Sequence, residues 1–65
     1  MNKNEIIARL DELGVAFNNR DTKYILAKLL YRLELLLALQ DKDIKRAERF
    51  KIELREVEVE HYVGK

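Results

Sequence analysis

The sequence predicts an all-α fold, a small helical bundle in which a helix–extended-loop–helix unit precedes a third, C-terminal helix. Proline is absent, and glycine occurs at only two of the 65 positions. With 38% charged and 48% hydrophobic residues, the composition is typical of helical proteins, and the apolar residues recur at helical spacing. A chain of this length forms one domain at most. We therefore expect a single domain over residues 1–65, with the helix–extended-loop–helix unit at 1–39 and the third helix at 40–65.

The first helix is predicted over about residues 3–13, and Asn4 is the candidate for its N-cap. Gly14 follows the helix and supplies the left-handed backbone with which many helices end. One buried face is expected because the apolar residues keep the spacing of a single helical stripe. This stripe consists of Ile6, Ile7, Leu10 and Leu13.

An extended segment is predicted after this helix. Val15 and Phe17 flank Ala16, and this alternation suits a strand-like segment that places both large side chains on the core. The polar residues 18–21 then form a turn. The second helix begins at Asp21 or Thr22, because either side chain can accept a hydrogen bond from a free backbone amide.

The second helix contains eight leucines between positions 26 and 39. At about 100° per residue, its apolar side chains divide into two stripes on roughly opposite sides. Two stripes require two packing partners, of which one is the first helix and the other is either the third helix or a second chain. The first stripe contains Leu26, Leu29, Leu30, Leu33 and Leu37, and the second contains Tyr24, Tyr31, Leu35, Ala38 and Leu39.

The third helix is predicted to begin at Asp41 or Asp43 and to end near Glu60. Two alternatives stay open: a single helix over residues 22–60, because residues 40–43 contain no helix breaker, and a strand-like end over the alternating residues 57–63. Helix-spaced ion pairs are expected between Arg49 and Glu53 and between Arg55 and Glu58. A coiled-coil-like seam is formed by Ala47, Phe50, Leu54, Val57 and His61.

The composition argues against several classes of function. Cysteine is absent, so we expect no disulfide and a cytoplasmic location, in the host cell if the protein is viral. Serine is also absent and His61 is the single histidine, so we expect no catalytic residue, no cofactor and no metal site. The N-terminus lacks the layout of a signal peptide, and no segment reaches the roughly 20 apolar residues of a membrane span. We therefore expect neither an enzyme nor a membrane partner.

The first half of the chain carries short motifs of a known kind. Residues Leu10–Val15 end an apolar helix at a glycine, Phe17 follows in the extended piece, and Thr22–Leu26 opens the second helix. Over residues 4–37 the chain thereby resembles the helix–extended-loop–helix domains related to the SAP and LEM domains. Residues Asn4–Leu10 are also similar to the start of the DNA-packaging accessory proteins of lambdoid phages. The resemblance implies DNA binding (SAP), binding of a protein partner (LEM) or a role as a small accessory factor (phage members).

The preferred hypothesis is a small phage-type accessory protein that binds DNA or a nucleoprotein complex. Free amides at the start of a helix favour phosphate, and side-chain amides add hydrogen-bond donors. The charge balance counts against a strong grip on phosphates, because 13 Lys and Arg residues face 12 Asp and Glu residues. The candidate contact residues are Asn18, Asn19, Arg20, Lys23 and Lys28.

The alternative hypothesis is a protein-interaction module, an adaptor or inhibitor of a host or phage protein. Large apolar surfaces on small chains usually mark a partner or self-association surface. We expect a homodimer, in which the third helix projects and two chains share their stripes. If the third helix instead folds back, it covers the second stripe within the monomer. The candidate interface residues are Tyr24, Tyr31, Leu35, Leu39, Phe50 and Leu54.

Overall fold

The computed structural model describes residues 1–63 and confirms the all-α fold class. Over these residues it contains three helices, α1 (Lys3–Glu12), α2 (Lys23–Gln40) and α3 (Ile44–Val63). The alternative of a single helix over residues 22–60 is wrong, because the chain turns at residues 41–43. The alternating residues 57–63 are helical and not strand-like.

Asn2 is the N-cap of helix α1, and the prediction that Asn4 is its N-cap is wrong. The Asn2 side-chain oxygen accepts from the Glu5 amide (2.9 Å), and Glu5 Oε1 accepts from the Asn2 amide (3.1 Å). This reciprocal pair is a capping box, which requires an acidic or amide side chain three residues after the cap. Asn2 has Glu5 at that position, whereas Asn4 has the apolar Ile7.

The end of α1 is set by Gly14, as predicted. Gly14 has a φ of 71°, in the left-handed region that favours glycine. Its amide donates to the Asp11 carbonyl (3.0 Å), and the Val15 amide donates to the Leu10 carbonyl (3.3 Å). These two bonds form a Schellman motif, which satisfies carbonyls that the helix leaves free.

Helix α2 begins at Thr22, whose hydroxyl oxygen accepts from the Ile25 amide (3.4 Å), and it ends in a second Schellman motif. Lys42 occupies the left-handed position, with a φ of 59°, and the Asp43 amide donates to the Ala38 carbonyl (2.8 Å). Asp43 Oδ1 then accepts from the Arg46 amide (3.1 Å) and caps the start of α3. Of the caps that the sequence left open, the structure uses Thr22 and Asp43.

Helix α3 folds back on α2 as an antiparallel hairpin. Lys28 Nζ lies 3.8 Å from Glu58 Oε1 near one end, and Arg46 Nη2 lies 3.4 Å from Glu34 Oε1 near the other. The expected ion pairs Arg49–Glu53 and Arg55–Glu58 do not occur among residues 1–63. Glu58 is turned toward α2 instead, because its position on α3 borders the face that contacts α2.

Helix α1 crosses another flank of α2 and runs in broadly the same direction. Met1 lines a cavity together with Lys23 and Ala27, whereas Arg9 contacts Glu34, about two to three turns further along α2. The connection over residues 13–22 therefore returns along the molecule. Val15 and Phe17 pack against the core on this return path, as the alternation predicted.

The core lies where α1 and α3 cover α2. Residues of both predicted stripes of α2 are covered within the monomer: Tyr31 is buried in the same cluster as Leu26 and Leu30, and its ring lies against Phe50 of α3. The two stripes border one continuous buried arc, which also contains Ala27 and Glu34. The half-buried residues around this cluster confirm the predicted stripe of α1 and seam of α3; they are Ile7, Leu13, Val15, Phe17, Leu29, Leu33, Phe50, Leu54 and Val57.

Candidate interaction surfaces

The loop residues predicted to contact nucleic acid are exposed. Asn18 Oδ1 accepts from the Arg20 amide (3.0 Å), and the Asp21 amide donates to the Asn18 carbonyl (3.0 Å), so a local turn holds this part of the loop. Asn18 and Asn19 line an open depression of about 610 Å³ that also includes the Asp11 carboxylate. Arg20 is thus the single cation of the loop after α1, and a carboxylate lies in the depression beside it.

The two predicted lysines lie in different surroundings. Lys28 lies 5.2 Å from the Tyr24 ring centroid and is paired with Glu58 of α3. Lys23 is exposed and lines a different cavity, whose other residues include Glu53, Glu56 and Glu60. Five positions along a helix correspond to about 140° of rotation, which places the two lysines on different sides of α2. Lys23 and Lys28 therefore do not form one cationic site.

Three of the predicted interface residues lie inside the monomer. Tyr31 is buried with its ring centroid 6.1 Å from that of Phe50, and Phe50 and Leu54 are half-buried against the core. The prediction that these three face a partner is corrected, because the turn at residues 41–43 packs Phe50 and Leu54 of α3 against the core that contains Tyr31. The homodimer stays a prediction, but it no longer follows from a projecting third helix.

The other predicted interface residues are more accessible. Tyr24 is half-buried, and its ring stacks on His61 with centroids 3.7 Å apart and 5° between the planes. This stacking accounts for the lone histidine as an α2–α3 contact. Leu35 is half-buried and Leu39 is exposed, so Leu39 alone of the six presents most of its side chain to solvent.

A continuous apolar stripe lies on the side of α2 that neither α1 nor α3 covers. Its positions alternate spacings of four and three, and three of its apolar side chains are largely exposed: 49% for Ile25, 61% for Leu36 and 53% for Leu39. At about 100° per residue these side chains share one side of the helix. We call this stripe the outer face of α2; it consists of Ile25, Leu29, Arg32, Leu36 and Leu39.

Ile25 and Leu36 were not among the candidate surface residues predicted from the sequence. Leu29 packs against the core, as its place in the first predicted stripe implies, and it also borders the outer face. The 4-3-4-3 spacing of the outer face was visible in the sequence. It competed, however, with two other stripes on the same leucine-rich helix. Only the positions of α1 and α3 show which of these stripes is left uncovered.

A shallow groove runs beside the outer face. It has a volume of about 360 Å³ and is lined by Tyr24, Ile25, Lys28, Leu29 and Arg32. Leucine, isoleucine and the tyrosine ring make this surface mostly apolar, and the two cations lie on it. The groove is wide enough to hold a side chain of a partner, so the outer face combines an apolar surface with a depression.

The free charge of the outer face is positive. Arg32 is exposed and has no carboxylate within ion-pair distance among residues 1–63, and the Glu58 carboxylate neutralises Lys28. Glu34 is the single carboxylate of α2, and it is 7% exposed on the opposite, covered side. Arg32 therefore stands alone in the middle of an apolar stripe.

Glu34 joins all three helices on the covered side. Its Oε1 accepts from Arg9 Nη2 of α1 (2.9 Å) and from Arg46 Nη2 of α3 (3.4 Å). These side chains, together with Arg49 and Phe50, line a cavity of about 460 Å³ between α1 and α3. This junction was not predicted from the sequence, although a lone carboxylate within a leucine-rich helix is a signal for one.

The guanidinium groups of this junction are already engaged. Arg9 Nη1 also lies 3.1 Å from Glu12 Oε2, and Arg46 Nη1 lies 3.8 Å from Asp41 Oδ2. Hydrogen bonds to Glu34 and, second, to Glu12 raise the pKa of Arg9 above its usual value. Because Glu34, Glu12 and Asp41 hold these donors, we interpret the junction as a structural contact and not as a ligand site.

Two further properties bear on function. Within residues 1–63 no group of three or more His, Cys, Asp or Glu side chains is arranged to hold a metal ion. No helix in this part of the chain combines the length and the hydrophobicity needed to cross a membrane.

Comparison of the chain with models of protein families, with curated proteins and with solved structures gave no match. The resemblance of residues 4–37 to the SAP and LEM domains therefore stays a prediction.

Proposed function

We propose that this protein is a protein-interaction module, an adaptor or inhibitor that binds another protein along the outer face of α2. The observation that carries the proposal is the uncovered stripe itself. Ile25, Leu36 and Leu39 are exposed on one side of α2, in line with the half-buried Leu29, and a groove lies beside them. Burial of apolar surface contributes about 25 cal/mol per Å², so such a stripe provides a driving force for association.

The exposed apolar residues of α3 provide a contrast. Ile52 and Val59 are also exposed, but their neighbours on the same side of α3 include Lys45, Glu48 and Arg55. Scattered apolar residues are normal on protein surfaces, whereas contiguous patches mark interaction sites. On the outer face of α2, one charged residue stands among four apolar ones.

The arrangement of charge gives less support to the nucleic-acid hypothesis. Affinity for the phosphate backbone grows with the number of phosphates that cations neutralise. Here Lys28 is paired with Glu58, and Lys23 lies beside three glutamates of α3. Only Arg20, with Asn18 and Asn19 beside it, stays available on the loop.

The test compares Leu36→Glu with Ile52→Glu, which is a matched control because the two parent side chains are 61% and 58% exposed. A photo-crosslinking amino acid at position 36, in the cells that produce the protein, should give a discrete adduct with one protein. That protein, identified by mass spectrometry and purified, should bind the parent and Ile52→Glu equally. It should bind Leu36→Glu at least about tenfold more weakly, a loss of about 1.4 kcal/mol.

Equal binding of Leu36→Glu and the parent would contradict the proposal, as would an adduct formed from position 52 and not from 36. A short DNA duplex at low salt serves as a further arm. Duplex binding that Arg20→Ala abolishes and Leu36→Glu leaves unchanged would establish the nucleic-acid hypothesis in its place. In that case a plot of the logarithm of the binding constant against the logarithm of the salt concentration should have a slope of about −0.9 for each phosphate that the protein neutralises.

A further inference from the structure

The dimensions of the outer face fit a helix. From Ile25 to Leu39 the stripe spans about 21 Å at 1.5 Å per residue, a length that four turns of a partner helix would match. The alternation of four and three positions is the spacing at which two helices interdigitate their side chains. Recognition of one amphipathic helix by such a surface uses anchors at the same spacing.

The charge of Arg32 determines which kind of partner helix fits this surface. It lies midway between Ile25 and Leu39, seven positions from each. If two copies of this chain paired their outer faces symmetrically, antiparallel about the middle of the stripe or parallel in register, Arg32 would meet the Arg32 of the other copy. Like charges facing each other across an interface oppose association. The face is therefore poorly suited to a second copy of this chain.

We infer that the partner segment is an amphipathic helix with a carboxylate in the middle of its apolar stripe. This inference rests on the proposed function and adds the chemistry of the partner to it. A carboxylate opposite Arg32 accepts two parallel hydrogen bonds from the guanidinium group, a geometry that specifies register as well as charge. The leucine and isoleucine side chains on either side of Arg32 then contact the apolar residues of the partner.

The groove supplies a second element of recognition. Tyr24, Ile25 and Leu29 form its apolar lining at the N-terminal end of the outer face. Lys28 lies at its edge, held by Glu58, so Arg32 is left as the cation available to the partner. A carboxylate on the partner thus has one position at which it is neutralised, and elsewhere along the stripe it would face leucine.

The test uses two synthetic helical peptides that differ at one position. Both carry leucines at alternating spacings of three and four, and the central residue of the stripe is glutamate in one and lysine in the other. Titration followed by fluorescence anisotropy at low salt should show that the parent binds the glutamate peptide about tenfold more tightly. Arg32→Glu should reverse the preference. Lys23→Glu, which changes an exposed cation on a different side of α2, should leave the ratio as in the parent.

Several outcomes would overturn the inference. These are equal affinity of the parent for both peptides, a ratio that Arg32→Glu does not change, and the absence of binding by either peptide at millimolar concentration. A parent protein that sediments as a dimer, and that Leu36→Glu converts to folded monomers, would identify a second copy as the occupant and would also overturn it.

The same titrations distinguish a failure of this inference from a failure of the proposed function. If Leu36→Glu weakens both peptides equally while the charge variants change nothing, the outer face binds helices without selecting their charge. If Leu36→Glu binds both peptides as the parent does, the outer face is not the binding surface and the proposed function fails as well. Circular dichroism of each variant confirms that it is folded before binding is compared.

Discussion

Glu34 carries the most consequential side-chain contacts of the molecule. It is nearly fully buried, and a single carboxylate oxygen accepts from guanidinium groups of both α1 and α3. Charged groups are rarely buried without partners because the loss of hydration is costly. Here the two arginines remain about one-third exposed, so they keep part of their hydration while they neutralise Glu34.

The first prediction concerns this carboxylate. Glu34→Gln keeps the shape of the side chain and removes its charge, so the bonds from Arg9 and Arg46 lose their charge-assisted character. We expect the free energy of unfolding, measured by urea denaturation, to fall by about 1–3 kcal/mol. The control is Glu12→Gln, an exposed partner of Arg9, for which we expect a change below about 0.5 kcal/mol. Equal effects of the two substitutions would show that the junction contributes no more than a surface ion pair.

The second prediction concerns Tyr31 and pH. Burial raises the pKa of its hydroxyl group, and the nearby Glu53 and Glu60 raise it further. Above about pH 10 the unfolded chain releases this proton more readily than the folded protein does. The contribution of the Tyr31 hydroxyl group to the free energy of unfolding is therefore fully present below about pH 10, and it is lost as the pH rises through the folded-state pKa.

Urea denaturation at about pH 8 and pH 10.5 tests this sign. The parent should lose more stability between the two conditions than Tyr31→Phe does, because phenylalanine has no proton to release. Tyr62→Phe, which removes an exposed tyrosine, should behave as the parent. A Tyr31→Phe variant whose stability falls as steeply as that of the parent would assign the alkaline loss to other groups.

Two helix ends of the same geometry are encoded differently. Both α1 and α2 end in a Schellman motif with a left-handed residue, but that residue is Gly14 in one and Lys42 in the other. Gly14 is readable in the sequence because glycine adopts this backbone without steric cost. Lys42 gives no such signal, and for that reason a continuous helix over residues 22–60 could not be excluded from the sequence.

The third prediction follows from this difference. A residue with a side chain in the left-handed region destabilises the folded state by about 1 kcal/mol. Glycine removes this strain, but its larger conformational freedom in the unfolded chain offsets part of the gain. We expect Lys42→Gly to raise the free energy of unfolding by about 0.5 kcal/mol, measured by thermal and urea denaturation. The control is Lys45→Gly in the first turn of α3, which should destabilise by up to about 1 kcal/mol. Destabilisation by both substitutions would mean that the turn at Lys42 is not strained.

The whole molecule is organised around α2, of which α1 and α3 cover one half. Its fully buried apolar side chains are few, and the largest are Ile6, Leu10, Leu26 and Leu30. A chain of this size buries a smaller share of its surface than larger domains do. Each core side chain therefore contributes a large fraction of the total stability.

The fourth prediction is that Leu30→Ala destabilises the protein by about 2–5 kcal/mol, through lost burial and the cavity that remains. Because domains are stable by only about 5–15 kcal/mol, and small ones lie at the lower end, the variant should melt far below the parent. Leu36→Ala is the control, since it removes the same atoms from the exposed outer face. A Leu30→Ala variant that melts with the parent would place α1 on another side of α2.

The sequence by itself determined the all-α fold class, helix α1, the stop at Gly14 and the anchors Val15 and Phe17. It also determined the seam of α3. Each of these depends on a spacing or a backbone preference that acts over a few residues, so it can be read without knowing the rest of the fold. The candidate site was less predictable: the sequence placed Lys23, Lys28 and Arg20 in one cluster and Tyr31 on a surface.

Only the tertiary structure decided which half of α2 is covered. Periodicity gives the angles between side chains on one helix, and a leucine-rich helix offers several stripes with similar hydrophobicity. The choice among them depends on the turn at Lys42, on the direction of α1 and on the junction at Glu34. These features depend on many contacts between segments that are distant in the sequence, and no local pattern specifies such contacts. The same choice left Ile25, Leu36 and Leu39 in solvent and Arg32 among them.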